Sequence, residues 1–172
     1  LSPLSFIKRT ADLFPDRLAV VYGDRRYTWS ETYARTRRLA SALKKRGIGK
    51  GDTVSIMATN TPEMFEAHFG VPMADAVLNA INTRLEVDTV SYILEHGDSR
   101  VIIADTAFSA VVSKALEAID RDILVIHIDD PANTTGNRIG ALDYEAFLAE
   151  GDADLDWRGT ADEWQELALN YT

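Results

Sequence analysis

The chain has 172 residues, of which 46% are hydrophobic and 26% charged, a length that suffices for one domain with a sizeable core. It contains no cysteine, which excludes a disulfide framework, a thiolate metal site and a cysteine nucleophile. The net charge of −9 is concentrated in residues 120–166, which hold 13 acidic and 3 basic residues, and this balance argues against nucleic acid as a partner.

The first predicted elements are a β-hairpin and a long helix. The run "LAVVYGDRRYTW" contains two β-rich segments on either side of the turn pair Gly23-Asp24. Thr28 stands three residues before Glu31, which is the spacing of a capping box, so a helix is predicted to begin there. The helix is predicted to run to about residue 46, and Gly47 is the expected residue just past its end.

Six basic residues crowd this predicted helix. One interpretation is a phosphate-binding cluster; the other, which we favour, is a solvated face whose basic carboxyl end suits the helix dipole. The six residues are Arg35, Arg37, Arg38, Lys44, Lys45 and Arg46.

Strands and helices then alternate. The predicted strands are "GDTVSIMATN", "AVLNAIN", "RVIIAD" and "DILVIHID". Helices are predicted between them, one with Thr61 as its N-cap ahead of Pro62 and one that ends at Gly97. The strands from 101 and 123 are continuous apolar runs, which is typical of strands covered on both faces. We therefore predict the α/β class, with a mainly parallel β-sheet flanked by helices on both sides.

The end of the chain is less regular. After the loop "PANTTGN", the sequence predicts a short helix at 144–148 and an acidic connector over 150–163. The closing "ELALNYT" contains the apolar, β-compatible run 167–169, and it resembles the middle of a buried strand.

Residues with catalytic chemistry are few and scattered. The segment "HIDD" could offer metal ligands, but a strand end that enters a loop explains the same residues. Glu63 and Glu66 are spaced i, i+3 on one helix, and nothing marks them as an acid–base pair rather than a solvated edge. Neither GxGxxG nor GxxxxGK[ST] occurs. The residues alone therefore indicate no catalytic residue and no metal site. The histidines are His68, His96 and His127.

The order of motifs from "YTWSETYARTRRLASALKKRGIGKGDTVSIMATNTPEMF" to "GVPMADAVLNAINTRL" resembles the opening of the adenylate-forming (AMP-binding) superfamily, which contains acyl-CoA synthetases, luciferases and adenylation domains. Each motif is weak alone, but the ordered set is specific, and the resemblance extends from about residue 5 to the last residue. One departure is Asp75 in "ADAV", where the family usually has glycine; if a positive φ is required there, aspartate tolerates it better than most residues. The matching residues are Tyr27, Thr28, Leu43, Gly47, Ile48, Gly51, Asp52, Asn60, Pro62, Glu63, Gly70, Ala76, Val77, Asn82 and Arg84.

The resemblance implies the N-terminal part of an acyl-CoA synthetase of the short/medium-chain type. In such enzymes a carboxylate attacks the α-phosphorus of ATP to give an acyl-adenylate and pyrophosphate, Mg²⁺ neutralises phosphate charge, and coenzyme A then displaces AMP. A strand similar to "LALNYT" leads there into a phosphate-binding loop, so Thr172 is expected as the first residue of that loop. Residues 1–172 are then the N-terminal portion of the large AMP-binding domain, ending just before the loop, and we expect the chain alone to be inactive.

The resemblance also implies partners. They are the remainder of the same enzyme, on this or a second polypeptide, a small or sulfur-containing carboxylic acid, and a second copy in a homodimer. No apolar run approaches the roughly 20 residues of a membrane span, and the amino-terminal segment shows no signal-peptide pattern, so we expect a cytoplasmic protein. Two alternatives stay open. One is a non-catalytic α/β interaction module, and the other is a nucleotide-binding domain of another family, against which stands the lack of a phosphate loop after the first strand.

Overall fold

The computed structural model describes residues 2–160 and 162–171, and its strands form two sheets. The predicted hairpin pairs β1 (Leu18–Tyr22) with β2 (Arg25–Thr28) in antiparallel register. The larger sheet has six parallel strands in the order β7-β6-β5-β3-β4-β8. Its strands are β3 (Thr53–Met57), β4 (Val77–Ala80), β5 (Ser99–Asp105), β6 (Leu124–Ile128), β7 (Leu142–Asp143) and β8 (Ala168–Leu169).

Helices connect these strands. Within the described ranges, none of them is both long and apolar enough to cross a membrane. They are α1 (Pro3–Leu13), α2 (Trp29–Lys45), α3 (Pro62–Met73), α4 (Val87–His96), α5 (Ser109–Glu117), which follows a short 3-10 turn, and α6 (Tyr144–Ala149).

The sequence analysis did not predict α1. The Ser2 side chain accepts a hydrogen bond from the Leu4 amide and caps the helix, and Pro3 occupies its first turn. Leu4 and Ile7 are buried, so the helix is held by one narrow apolar stripe. The sequence does contain the N-cap serine, the proline and the helical spacing of the apolar residues, but the polar residues between the apolar ones obscured that spacing.

Helices cover both faces of the larger sheet, as predicted. One apolar cluster joins α1, α2, α3 and α6 to one face, and the other joins α4 and α5 to the opposite face. Strand β5 shows the division, because Val101 and Ile103 belong to the first cluster while Ile102 and Ala104 belong to the second. All four are fully buried, which confirms that this strand is covered on both sides.

Local signals at the helix ends are largely confirmed. Thr28 and Glu31 form the predicted capping box, and Gly47 follows α2 with φ of 75°. Asp75 has φ of 66°, so the position where the family has glycine does require the left-handed conformation. Helix α4 ends at Gly97 as predicted, but the residue with positive φ is its neighbour Asp98, at 52°.

The carboxyl-terminal strand differs from the expectation. Strand β8 has two residues and lies at the edge of the sheet, where it pairs with β4. Ala168 is exposed and Leu169 half-buried. The run 167–169 is therefore part of a short edge strand and not the middle of a buried one, because the apolar pattern alone does not reveal how many neighbours a strand has.

Candidate functional site

From β3 the chain continues to β4 on one side of the sheet, whereas from β5 it continues to β6 on the other side. The carboxyl ends of the neighbouring strands β3 and β5 therefore mark the point where the strand order reverses. Helix α3 leaves β3 toward one face, and α5 leaves β5 toward the other. Sheets of this type bind ligands in the crevice that such a reversal opens. The candidate site is therefore built from the hairpin, the first turn of α3 and the loops after β5 and β6.

A buried polar network fastens the hairpin to this edge. The Tyr22 hydroxyl donates to Asp130 Oδ2 at 2.6 Å, and Arg25 pairs with Glu63 in the first turn of α3. The Arg25 guanidinium also lies 5.1 Å from the centre of the Tyr22 ring and 3.8 Å from Asp130. Glu63 and Asp130 are only 3% and 2% exposed, so the network holds its two carboxyl groups away from water. It fixes the wall of the crevice and leaves little freedom for these side chains.

Asp105, the last residue of β5, brings a further carboxyl group to the same edge. It is fully buried, and its Oδ1 accepts from the Ala107 amide at 2.9 Å. Its Oδ2 has no hydrogen-bond partner among the described residues. Burial, together with the nearby Asp130 and Glu63, raises the pKa of Asp105. This group can therefore hold a proton or accept a hydrogen bond at the crevice.

An apolar cleft of about 590 Å³ adjoins the network. It lies between β1 and the amino-terminal half of α3, and Tyr22 belongs to both the cleft and the network. Its volume is within the range of ligand pockets in proteins, and its lining would suit an apolar group or an apolar protein surface. The lining residues are Ala19, Val20, Val21, Tyr22, Asn60, Thr61, Pro62, Met64, Phe65, His68 and Phe69.

The interpretation of Glu63 and Glu66 as a solvated edge was wrong, since both are buried in ion pairs. Arg35 contacts Glu66 through two nitrogens, and the Tyr144 hydroxyl donates to Glu66 Oε2 at 2.9 Å. The second partner of Arg35 is Glu145 on α6. Burial raises the pKa of Glu66 to about 7, against the opposing effect of Arg35 and Tyr144. These groups join α2, α3 and α6, and they form a structural ion-pair network.

Five of the six basic residues singled out in this helix have partners within the chain, which favours the interpretation that they do not form a phosphate site. Lys44 pairs with Asp75 at 2.9 Å, and Arg46 pairs with Glu150 at 2.6 Å. The guanidinium of Arg37 lies 4.5 Å from the centre of the Tyr33 ring. Pairs as exposed as those of Lys44 and Arg46 contribute little stability, but they do neutralise the local charge.

The histidines and the "HIDD" segment do not come together. His127 Nδ1 lies 2.9 Å from the Ile139 carbonyl oxygen, while Asp130 bonds to Tyr22 and to the Ala132 amide. Nowhere in the described ranges do three or more histidine or acidic side chains assemble as metal ligands. His68 Nδ1 contacts the Met64 carbonyl, and His96 contacts Tyr171. Thr172, the predicted phosphate-loop residue, lies outside the described residues.

Comparisons with known proteins agree with this architecture. The sequence model of a family described as AMP-binding enzyme matches residues 7–172. The chain is 46% identical to a peroxisomal acetate/butyrate–CoA ligase of Arabidopsis thaliana and 39% identical to an acetate–CoA ligase of Humulus lupulus, over 100% of this chain and 32% of each relative.

A solved structure shows the same fold. The crystal structure of an anthranilate CoA ligase in complex with anthranoyl-AMP matches 98% of this chain and 32% of that chain with a TM-score of 0.88, at 20% identity. The chain thus spans about a third of the length of these relatives. Because the family's sequence model matches nearly the whole chain, the chain belongs to the AMP-binding enzyme family.

Proposed function

We propose that the chain is the N-terminal part of an AMP-forming acid–thiol ligase. In the first step, a carboxylate oxygen attacks the α-phosphorus of ATP and pyrophosphate leaves; in the second, the sulfur of coenzyme A attacks the acyl carbon and AMP leaves. The observation that carries the proposal is the 46% identity, over the whole chain, to a relative named as an acetate/butyrate–CoA ligase. The alternative, a non-catalytic interaction module, has no comparable support.

We assign the described residues a scaffolding role in this enzyme. The hairpin, α3 and the carboxyl ends of β3 and β5 form one wall of the crevice, and the Tyr22–Asp130 and Arg25–Glu63 contacts fix that wall. The chain spans about a third of the length of its relatives, and the resemblance to acyl-CoA synthetases implies that most ligand-binding residues lie beyond this part. We therefore place the residues for ATP, Mg²⁺ and coenzyme A mostly in the remainder of the enzyme. Thr172 is the exception, as the proposed first residue of the phosphate loop.

The proposed substrates are carboxylic acids of short or medium chain length, including small sulfur-containing acids. Acetate and butyrate stand in the name of the Arabidopsis relative. A role in fatty acid metabolism follows from this substrate class. The proposed partners are the remainder of the enzyme and a second copy in a homodimer.

We propose the cytoplasm as the compartment, with which the lack of cysteine in this chain is compatible. The Arabidopsis relative is named as peroxisomal, so the peroxisome is the alternative. A fluorescent fusion of the whole enzyme in its own cells distinguishes the two, and colocalisation with a peroxisomal marker would overturn the cytoplasmic assignment.

The test of the function is ATP–pyrophosphate exchange by the full-length enzyme that contains this chain. We expect exchange to depend on acetate, butyrate or another short acid, and acyl-CoA to form when coenzyme A is added. The isolated 172-residue chain is the matched control, and it should show no exchange. If the full-length enzyme shows no exchange with any acid, the proposed activity is wrong; a preference for amino acids or long fatty acids would contradict only the substrate class.

A further inference from the structure

Three rings meet where α4 ends beside β8. The Tyr171 hydroxyl lies 2.8 Å from His96 Nδ1, and the Tyr171 ring meets the His96 ring edge-on with centroids 5.8 Å apart. Tyr92, one turn earlier on α4, stacks on His96 at 5.1 Å and meets Tyr171 edge-on at 6.4 Å. Each ring thus contacts both of the others. We call this group of Tyr92, His96 and Tyr171 the aromatic clamp.

The end of α4 is shaped to accept this contact. A Cβ atom at Gly97 would lie 3.2 Å from the Tyr171 hydroxyl and 3.2 Å from a methyl group of Leu169, besides meeting the Ile93 carbonyl at 2.8 Å. Gly97 does not have a positive φ, so its lack of a side chain serves close approach and not an unusual backbone conformation. The segment after β8 is therefore fitted against α4 by both the ring contacts and this bare backbone.

The backbone of β8 provides limited anchoring at this point. The strand has two residues at the sheet edge, and it pairs Ala168 with Leu78 and Leu169 with Asn79 of β4. Such a short edge strand frays easily, because few hydrogen bonds must break to release it. Tyr171 lies two residues beyond the strand, and its side chain joins that segment to a helix.

We propose that the aromatic clamp positions the phosphate loop, which the proposed function places directly after Tyr171. This inference rests on the proposed function. A phosphate loop acts by holding backbone amides and hydroxyls at fixed positions around the phosphates. Because Tyr171 precedes the first residue of that loop, a shift of its ring moves the donors and weakens ATP binding. Tyr171 and His96 are positioning residues, since they act through the loop and do not touch the reacting atoms.

The test uses the full-length enzyme and measures KM for ATP, KM for the acid and kcat in ATP–pyrophosphate exchange. Tyr171→Phe keeps the ring and removes one hydrogen bond, so we expect KM for ATP to rise about fivefold. KM for the acid should stay unchanged. His96→Leu should have the same effect, whereas His96→Asn, whose side chain can still bond the tyrosine hydroxyl, should preserve the wild-type value. The double variant Tyr171→Phe/His96→Leu should be no worse than either single one.

Tyr33→Phe is the matched control, because Tyr33 lies on α2, outside the crevice wall, and its hydroxyl makes no side-chain hydrogen bond among those observed in the described ranges; its KM for ATP should not change. A second readout is independent of catalysis: amide hydrogen exchange at 168–171 should accelerate in Tyr171→Phe and not in Tyr33→Phe. An active enzyme whose KM for ATP is unaffected by Tyr171→Phe and His96→Leu would overturn the clamp proposal. Absence of exchange activity in the wild type would instead contradict the proposed function, and the hydrogen-exchange comparison would still test the anchoring.

Discussion

Asp75 shows how much a single residue type can reveal about local structure. Its φ of 66° is a property of its own backbone, and its carboxylate pairs with Lys44 at 2.9 Å. The comparison with glycine raised a positive φ at this position only as a condition, and the structure shows that Asp75 adopts it. Aspartate can take the place of glycine there because short polar side chains enter the left-handed region at lower cost than others.

Glu63 and Glu66 could not be interpreted in the same way. Their partners are Arg25 and Arg35, which lie 38 and 31 residues away in the chain. A glutamate in a helix looks the same in the sequence whether it faces water or a buried arginine. Only the packing of the hairpin and α2 against α3 decided that both are buried.

Glu66 predicts a pH dependence of stability. Its pKa of about 7 in the folded chain lies above its ordinary value of 4.5, so the folded state retains a proton between these two values. The contribution of Glu66 to stability is therefore complete below about pH 4.5 and is lost as the pH rises through about 7. We expect the free energy of unfolding to fall with pH over this window, with a slope that corresponds to a difference of up to about one bound proton between the folded and unfolded states. Glu66→Gln should remove that part of the slope.

Denaturant unfolding at a series of pH values checks this prediction. Glu145→Gln is the control, because Glu145 pairs with the same Arg35 but its side chain is 60% exposed. This variant should retain the wild-type slope. Equal slopes for wild type and Glu66→Gln would show that Glu66 is ionised throughout the window.

At the scale of elements, α2 and α3 approach closely at Gly70. A Cβ atom there would lie 2.7 Å from Leu39 Cδ2 and 2.9 Å from the Thr36 carbonyl oxygen. The side chain of leucine can move, but the carbonyl belongs to the α2 backbone. The close contact of the two helices therefore requires a residue without a side chain at this position.

Gly70→Ala should reduce the free energy of unfolding by about 1–3 kcal/mol, the usual cost of overpacking a core. Gly49→Ala is the matched control, because a Cβ there would meet only the Ala74 carbonyl at an ordinary 3.7 Å. Chemical denaturation of both variants measures the difference. If Gly70→Ala is as stable as Gly49→Ala, the helices separate at little cost and the contact is not tight.

At the scale of the whole molecule, each of the two apolar clusters is formed and covered by residues of this chain. The central positions of β3, β5 and β6 that form them, including Ile56, Ile102 and Ile126, are fully buried by helices described here. We therefore expect the 172-residue chain to unfold in one cooperative thermal transition. Far- and near-ultraviolet circular dichroism should report the same midpoint. Separate midpoints, or no near-ultraviolet signal, would mean that the core needs the remainder of the enzyme to pack.

The sequence by itself determined the α/β class, the hairpin, most helix ends and the family, because these depend on local periodicity, caps, turn residues and motif order. The tertiary structure alone decided that Glu63 and Glu66 are buried, that β8 is an edge strand, and that Tyr171 contacts Tyr92 and His96. Each of these depends on which distant elements become neighbours. Short-range patterns indicate which face of an element is apolar, but the partner of a buried charge or of a lone ring is set by the packing of the whole chain.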